Sequence, residues 1–208
     1  MVKCQDMNQY KRALDIFEAR YVLVPLEIFA NDPYKSLVAT MMSARTNDDT
    51  TVVAAERLFK KAPTITSLAN LSEDEIAQLV YPVGFYKTKA KHLKLLAQKI
   101  IADFKGNVPK TREELMSLPG VGRKTANLVL NRAFGIPAIA VDIHVHRITN
   151  LMGWVHTKTP EKTEMALIAS VPKEYWSDIN RLIVSIGRQF RSHQKLEEFL
   201  RSHDLLKH

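Results

Sequence analysis

Two side chains in this 208-residue chain carry the chemistry of a reacting site. Lys124 offers a primary amine, a nucleophile when neutral; Asp142, 18 residues further on, offers a carboxylate that can stabilise developing positive charge. Lys124 stands in Leu118-Pro119-Gly120-Val121-Gly122-Arg123-Lys124-Thr125-Ala126, a Gly-rich turn that runs into a helix. Gly120 and Gly122 can take backbone conformations barred to other residues and carry no side chain, so consecutive N–H groups at the helix start are left to face a phosphate. In the first turn a cation meets the positive end of the helix dipole, which favours the neutral amine that attacks. Read singly, Lys124 is a solvated helix lysine and Asp142 an N-cap; the Gly-rich turn is what gives the lysine its second meaning. Capping and charge stabilisation are compatible, because a carboxylate held by N-terminal N–H groups stays ionised.

The elements that must position these groups are helices. Thr111-Arg112-Glu113-Glu114 predicts a capping box for a short helix before the turn, and Gly135 and Pro137 stop the helix after it. In that second helix Ala126, Val129, Leu130, Ala133 and Phe134 follow the spacing of a buried stripe, with Lys124, Asn127 and Asn131 on the polar face. The unit is helix, hairpin, helix over about 112–134. Elsewhere, Asp32 and Pro33 start a helix through Met42, Asp48 or Asp49 starts one that ends before Pro63, and Ser72 with Glu75 forms another capping box. A basic helix runs from about Lys87 to Phe104, and Asp142 caps one ending at Gly153. Thr159-Pro160 opens the next, Pro172 separates it from a helix to about Gln189, and a last one spans roughly Gln194 to Leu206. No segment has strand spacing, so the expected class is all-α. Two subdomains are expected: a bundle over 26–136 carrying the hairpin, and a second built from 1–25 with 137–208, the cleft between them holding Lys124 and Asp142.

The net charge of +8 and isoelectric point near 9.5 suit a polyanionic partner, but fit a ribosomal or membrane-surface protein equally well. A single cysteine, Cys4, excludes an internal disulfide and any cysteine-only zinc site, and fits a reducing compartment. No apolar run approaches a membrane span and no signal-peptide core is visible, so the expectation is a soluble, intracellular protein, cytoplasmic or nucleoid-associated if prokaryotic.

Leu118 to Asn131 (LPGVGRKTANLVLN) and Ile139 to Arg147 (IAVDIHVHR) together resemble the signature of the helix-hairpin-helix (HhH-GPD) DNA glycosylases, in their endonuclease III branch. The resemblance extends through Gly84-Phe85-Tyr86-Lys87-Thr88-Lys89-Ala90 and Met42-Ser43-Ala44-Arg45-Thr46-Asn47-Asp48, covering most of 33–188. It implies that Lys124 and Asp142 are the catalytic pair of a base-excision-repair DNA glycosylase and AP lyase, an enzyme that removes oxidised pyrimidines such as thymine glycol from duplex DNA. Lys124 would form a Schiff base with the sugar. Gly120, Val121, Gly122, Arg123 and Thr125 would bind the DNA backbone, and turn carbonyls over Leu118 to Val121 would hold a monovalent cation. Phe85 matches a wedge that enters the base stack, with core packing as its other reading. Arg45 replaces the glutamine that fills the gap left by a flipped nucleotide; a plain surface arginine is its alternative. His144 matches a residue near the base pocket. His144 and His146, two apart, point to different faces, and no metal site is expected.

The family pattern breaks after Gly187-Arg188. Four cysteines usually follow there and hold an iron–sulfur (4Fe–4S) cluster, whereas Gln189 to Lys195 contains none. The resemblance is therefore to a cluster-free branch with no required cofactor, in which the last helix packs through Leu196, Phe199, Leu200 and Leu205. Arg181, Arg188, Arg191 and Lys195 read either as a phosphate track or as a solvated face. The expected partner is damaged double-stranded DNA, bound by a monomer. A related glycosylase for 8-oxoguanine or for mismatched or deaminated bases shares these motifs. A non-catalytic hairpin module that only clamps phosphate is the alternative of another class, but needs neither Lys124 nor Asp142.

Overall fold

The computed structural model describes residues 4–206, and no strand occurs among the described residues. The helices are α1 (Cys4–Glu18), α2 (Pro33–Ser43), α3 (Asp48–Lys61), α4 (Ile65–Asn70), α5 (Glu73–Val80), α6 (Tyr86–Phe104), α7 (Arg112–Met116), α8 (Arg123–Phe134), α9 (Ile143–Leu151), α10 (Pro160–Ser170), α11 (Trp176–Gln189) and α12 (His193–Ser202). Short 3-10 turns lie at Pro25–Phe29 and Lys173–Tyr175. Among the described residues, no helix is long and apolar enough to cross a membrane.

Side-chain caps explain most of the helix starts. Asp32 accepts from the Lys35 N–H at 3.0 Å with Pro33 in the first helical position, and Thr159 and Pro160 repeat that arrangement at α10. Ser72 and Glu75 complete a reciprocal capping box. Two expected starts differ in detail. The cap of α3 is Asn47, whose side chain accepts from the Asp49 N–H, so Asp48 and Asp49 fall in the first turn and meet the positive end of the dipole. At α7 Thr111 accepts from the Glu114 N–H at 3.2 Å, but Glu114 turns its carboxylate to the Thr111 hydroxyl. The last helix also ends earlier than its apolar spacing suggests. Asp204 takes a positive φ and the Leu205 N–H returns to the Leu200 carbonyl, closing the helix at Ser202.

The chain forms two compact units, Pro25–Ile136 and the segment before Pro25 together with the chain from Pro137 onward. In the first, α6 packs against α4 and α5, while α2 packs against α3 and α8, and α7 lies on α8. Leu37, Met42, Leu58, Leu93, Leu96, Ile100 and Leu115 are fully buried there. In the second, α1 and α9 lie on α11, and Tyr10, Phe17, Val145, Ile148, Leu167, Ile183, Leu196 and Phe199 share one core. The expected packing role of α12 is visible in this unit: Phe190 stacks on Phe199 at 4.4 Å between centroids, and Phe17 lies 6.3 Å from it.

Helix α8 departs from its simple amphipathic reading. Ala126, Val129 and Leu130 are buried as the spacing predicts, but Ala133 and Phe134 are only half-buried. Asn127, expected on the polar face, is fully buried, where its Oδ1 accepts from the Arg112 Nε at 2.8 Å. That bond ties α7 to α8 and lets an amide sit in the core.

Candidate active site and DNA-binding loops

The hairpin is built around one glycine rather than two. Gly120 has φ +78, which strains any side chain, and a Cβ there would lie 2.8 Å from both His92 Nδ1 and Met41 Cε, so both side chains would have to shift to admit it. Gly122 has an ordinary φ of −94 with open space around it, which corrects the expectation that both glycines are needed for backbone freedom. Its contribution is bareness: it is the N-cap of α8 and makes no side-chain cap bond. Arg123 and Lys124 follow, both exposed, with Thr125 half-buried. Val121 differs from the others, since its side chain is buried and its N–H donates to the Leu118 carbonyl at 3.1 Å. Its amide is committed to the turn. The arrangement presents an amine and a guanidinium at the positive end of a helix, a setting that attracts an anionic backbone.

Asp142, in the other unit, is the N-cap of α9 as its position predicts. Its Oδ1 accepts from the Val145 N–H at 2.8 Å, and the residue is half-buried. One carboxylate oxygen is thus held by the helix. His144 lies two residues on, in the first turn of α9, with its ring against α11: a Cβ on Gly187 would fall 2.3 Å from its Nδ1. His146 points to α10, its Nδ1 2.6 Å from the Thr163 Oγ1. The two histidines therefore diverge, and among the described residues no three His, Cys, Asp or Glu side chains converge as a metal site would require.

Arg45 and Phe85 are brought together. Both are exposed, both occupy the left-handed backbone region (φ +55 and +57), and the Arg45 Cζ lies 5.7 Å from the Phe85 ring centroid. Phe85 is 63% exposed, so it is not a core residue. Gly84 makes the meeting possible, because a Cβ there would sit 2.8 Å from the Arg45 carbonyl oxygen. Two further residues hold these loops, and no role was read for either in the sequence. Thr46 accepts from the Gly84 N–H at 3.0 Å, and Lys89, on α6, donates to the Met42 and Ala44 carbonyls at 2.6 Å and to Thr46 Oγ1 at 3.1 Å. Burial pushes the Lys89 ammonium down to about 8. The available signal was position: Lys89 shares one helical stripe with Leu93, Leu96 and Ile100, all buried.

In the basic series near the end of the second unit, Arg181 pairs with Glu18 and Asp178 and lies over the Tyr21 ring at 5.1 Å, joining α11 to the end of α1 and the chain just after it. Arg191 and Lys195 are exposed.

An all-α chain with a glycine hairpin leading to an exposed lysine, and an aspartate capping the helix that follows, defines a helix-hairpin-helix protein. The family model for the HhH-GPD superfamily base excision DNA repair protein matches residues 38–173. Endonuclease III of Thermotoga maritima is 42% identical over 175 residues, spanning 83% of this chain and 82% of that one. Among solved structures, a trapped endonuclease III–DNA covalent intermediate in an estranged-adenine complex aligns with a TM-score of 0.78 at 33% identity, covering 90% of this chain and 89% of that one. A non-covalent endonuclease III–DNA complex aligns at 0.81 and 33% identity, with 90% and 88% covered. The chain belongs to the HhH-GPD superfamily, as an endonuclease III-like base-excision DNA glycosylase.

Proposed function

We propose that this glycosylase removes oxidised pyrimidines of the thymine glycol type from double-stranded DNA and then nicks the strand as an AP lyase. The observation that carries the reading is Lys124, an exposed amine in the first turn of α8 behind a bare glycine cap. The solved endonuclease III caught covalently joined to DNA supports a bond between enzyme and substrate. The damaged nucleotide leaves the stack at a cost of about a few kcal/mol, least for a damaged or mispaired base. Lys124 Nζ then bonds to the sugar C1′ while the N-glycosidic bond breaks and its electron pair departs with the base. Asp142, acting on the same nucleotide, stabilises the positive charge that builds on the sugar. Nζ loses a proton to solvent, the C1′–O4′ bond opens with its electron pair going to O4′, which takes up a proton from solvent, and a protonated imine remains. Loss of a C2′ proton expels the 3′ phosphate, and water releases Lys124.

The amides of the hairpin with Arg123 and Thr125 hold the backbone phosphate, and carbonyls of the Leu118 to Val121 turn can take a monovalent cation. No four-cysteine cluster fits a chain with Cys4 alone, and no step here needs one. The enzyme acts as a monomer on duplex DNA. Borohydride reduction tests the reading on duplexes bearing thymine glycol, dihydrouracil, 8-oxoguanine, uracil or an abasic site. The wild type is expected to crosslink most to the oxidised pyrimidines, and Lys124→Ala to none. A trapped complex that survives Lys124→Ala refutes the assignment.

A further inference from the structure

We propose that Lys89 is a positioning residue for strand opening: its ammonium fixes the Arg45 loop against the start of the helix that carries Phe85, so that both side chains enter the duplex as one wedge. The inference rests on the reading of Arg45 and Phe85 as residues that enter the base stack. A lysine is an expensive choice on the buried stripe of α6. Desolvating a cation costs several kcal/mol or more unless its hydrogens are accepted, and an apolar side chain of the same volume is often at least as stable. What the ammonium adds is direction. Its three hydrogens go to three oxygens, and these belong to Met42, Ala44 and Thr46, the last turn of α2 and the residues on either side of Arg45.

Thr46 is the second link. Its Oγ1 receives the Lys89 ammonium and also the N–H of Gly84, the residue before Phe85. One hydroxyl and one ammonium therefore close two loops on each other, at a place where the absent Cβ of Gly84 lets the Arg45 carbonyl approach. Two consecutive-loop residues in the left-handed region each carry strain of about 1–3 kcal/mol, which persists only where surrounding contacts over-determine the backbone. Lys89 and Thr46 are those contacts. A wedge fixed before binding can occupy the gap before the extruded base returns, and needs no ordering at that moment.

The test compares Lys89→Met, Thr46→Val, Thr46→Ser, Arg45→Ala and Phe85→Ala. Three measurements apply: single-turnover excision of thymine glycol from a duplex, fluorescence of 2-aminopurine opposite the lesion, and borohydride trapping at an abasic site in a single strand, where no stack has to open. Lys89→Met and Thr46→Val are expected to lose on the order of 10- to 100-fold in duplex excision together with the fluorescence rise, as misplaced reacting groups do. Their single-strand trapping stays at the wild-type level, and Thr46→Ser, which keeps the hydroxyl, behaves as wild type. Equal losses on duplex and single strand mean a general structural role and overturn the proposal. So does wild-type duplex excision by Lys89→Met and Thr46→Val while Arg45→Ala and Phe85→Ala fail. If Arg45→Ala and Phe85→Ala themselves excise normally, the wedge reading falls and takes the proposal with it. Should Lys89→Met not fold, Thr46→Val, which leaves the α6 stripe intact, decides.

Discussion

Asp142 caps α9 and, in the proposed function, also stabilises charge on the sugar; substitution separates the two roles. Asparagine caps a helix about as well as aspartate, whereas alanine loses about 0.5–2 kcal/mol at such a position. Asp142→Asn is therefore expected to melt like the wild type and yet lose excision, and Asp142→Ala to lose both, as denaturant unfolding and lesion cleavage measured side by side would report. Normal excision by Asp142→Asn would mean that the charge is not used. Residues of this kind are legible in sequence because the cap is local: Asp142, Thr159 and Ser72 each bond an N–H three residues on. The burial of Asn127 and the partners of Lys89 were not legible for the opposite reason. Their partners, Arg112 and the residues around Arg45, lie 15 and about 45 positions away, and no spacing rule reports a polar group satisfied in the core from another element.

At the scale of the element, the hairpin turns two similar glycines into different cases. Gly120→Ala meets both a positive φ and two atoms at 2.8 Å, and is expected to destabilise the protein by about 1–3 kcal/mol or more. Gly122→Ala meets neither and is expected to cost less, about 0.5–1 kcal/mol, because alanine is a poorer N-cap than glycine; thermal unfolding of the two variants makes the comparison. Most of the helices, and the helix-hairpin-helix unit, follow from caps, stops and apolar stripes; α4 does not, because its capping box pairs Thr64 with Ser67 rather than with Glu or Gln. The other errors lay at ends and faces. α3 begins at Asp48, one of its two expected starts, with Asn47 rather than an aspartate as its cap, and α12 stopped short because its chain turns back at Asp204. For α8, a stripe drawn from one helix alone missed that α7 contributes Arg112 to the far side.

At the scale of the whole molecule, the charge of +8 gives a measurable expectation. Each phosphate neutralised releases counterions, so DNA affinity should fall at least about tenfold between about 50 and 200 mM salt, the loss expected for only two or so contacts. Filter binding or fluorescence anisotropy on an undamaged duplex reads this directly, and an affinity indifferent to salt would remove the phosphate-contact account of the hairpin.

The unit that holds Asp142 is discontinuous in the chain. Its first helix supplies Tyr10, Ala13, Leu14 and Phe17 to a core whose other members include Ile183, Leu196 and Phe199, and Arg12 binds the His203 carbonyl and the Asp204 carboxylate. During synthesis the ribosome makes α1 well before those partners. At about 5–20 residues per second the apolar face of α1 waits on the order of ten seconds or longer for its core, while all of Pro25–Ile136 emerges and can fold. The nascent protein thus acquires its hairpin and Lys124 well before the unit carrying Asp142 can close, and during that interval α1 is the segment most open to a chaperone or to a neighbouring chain.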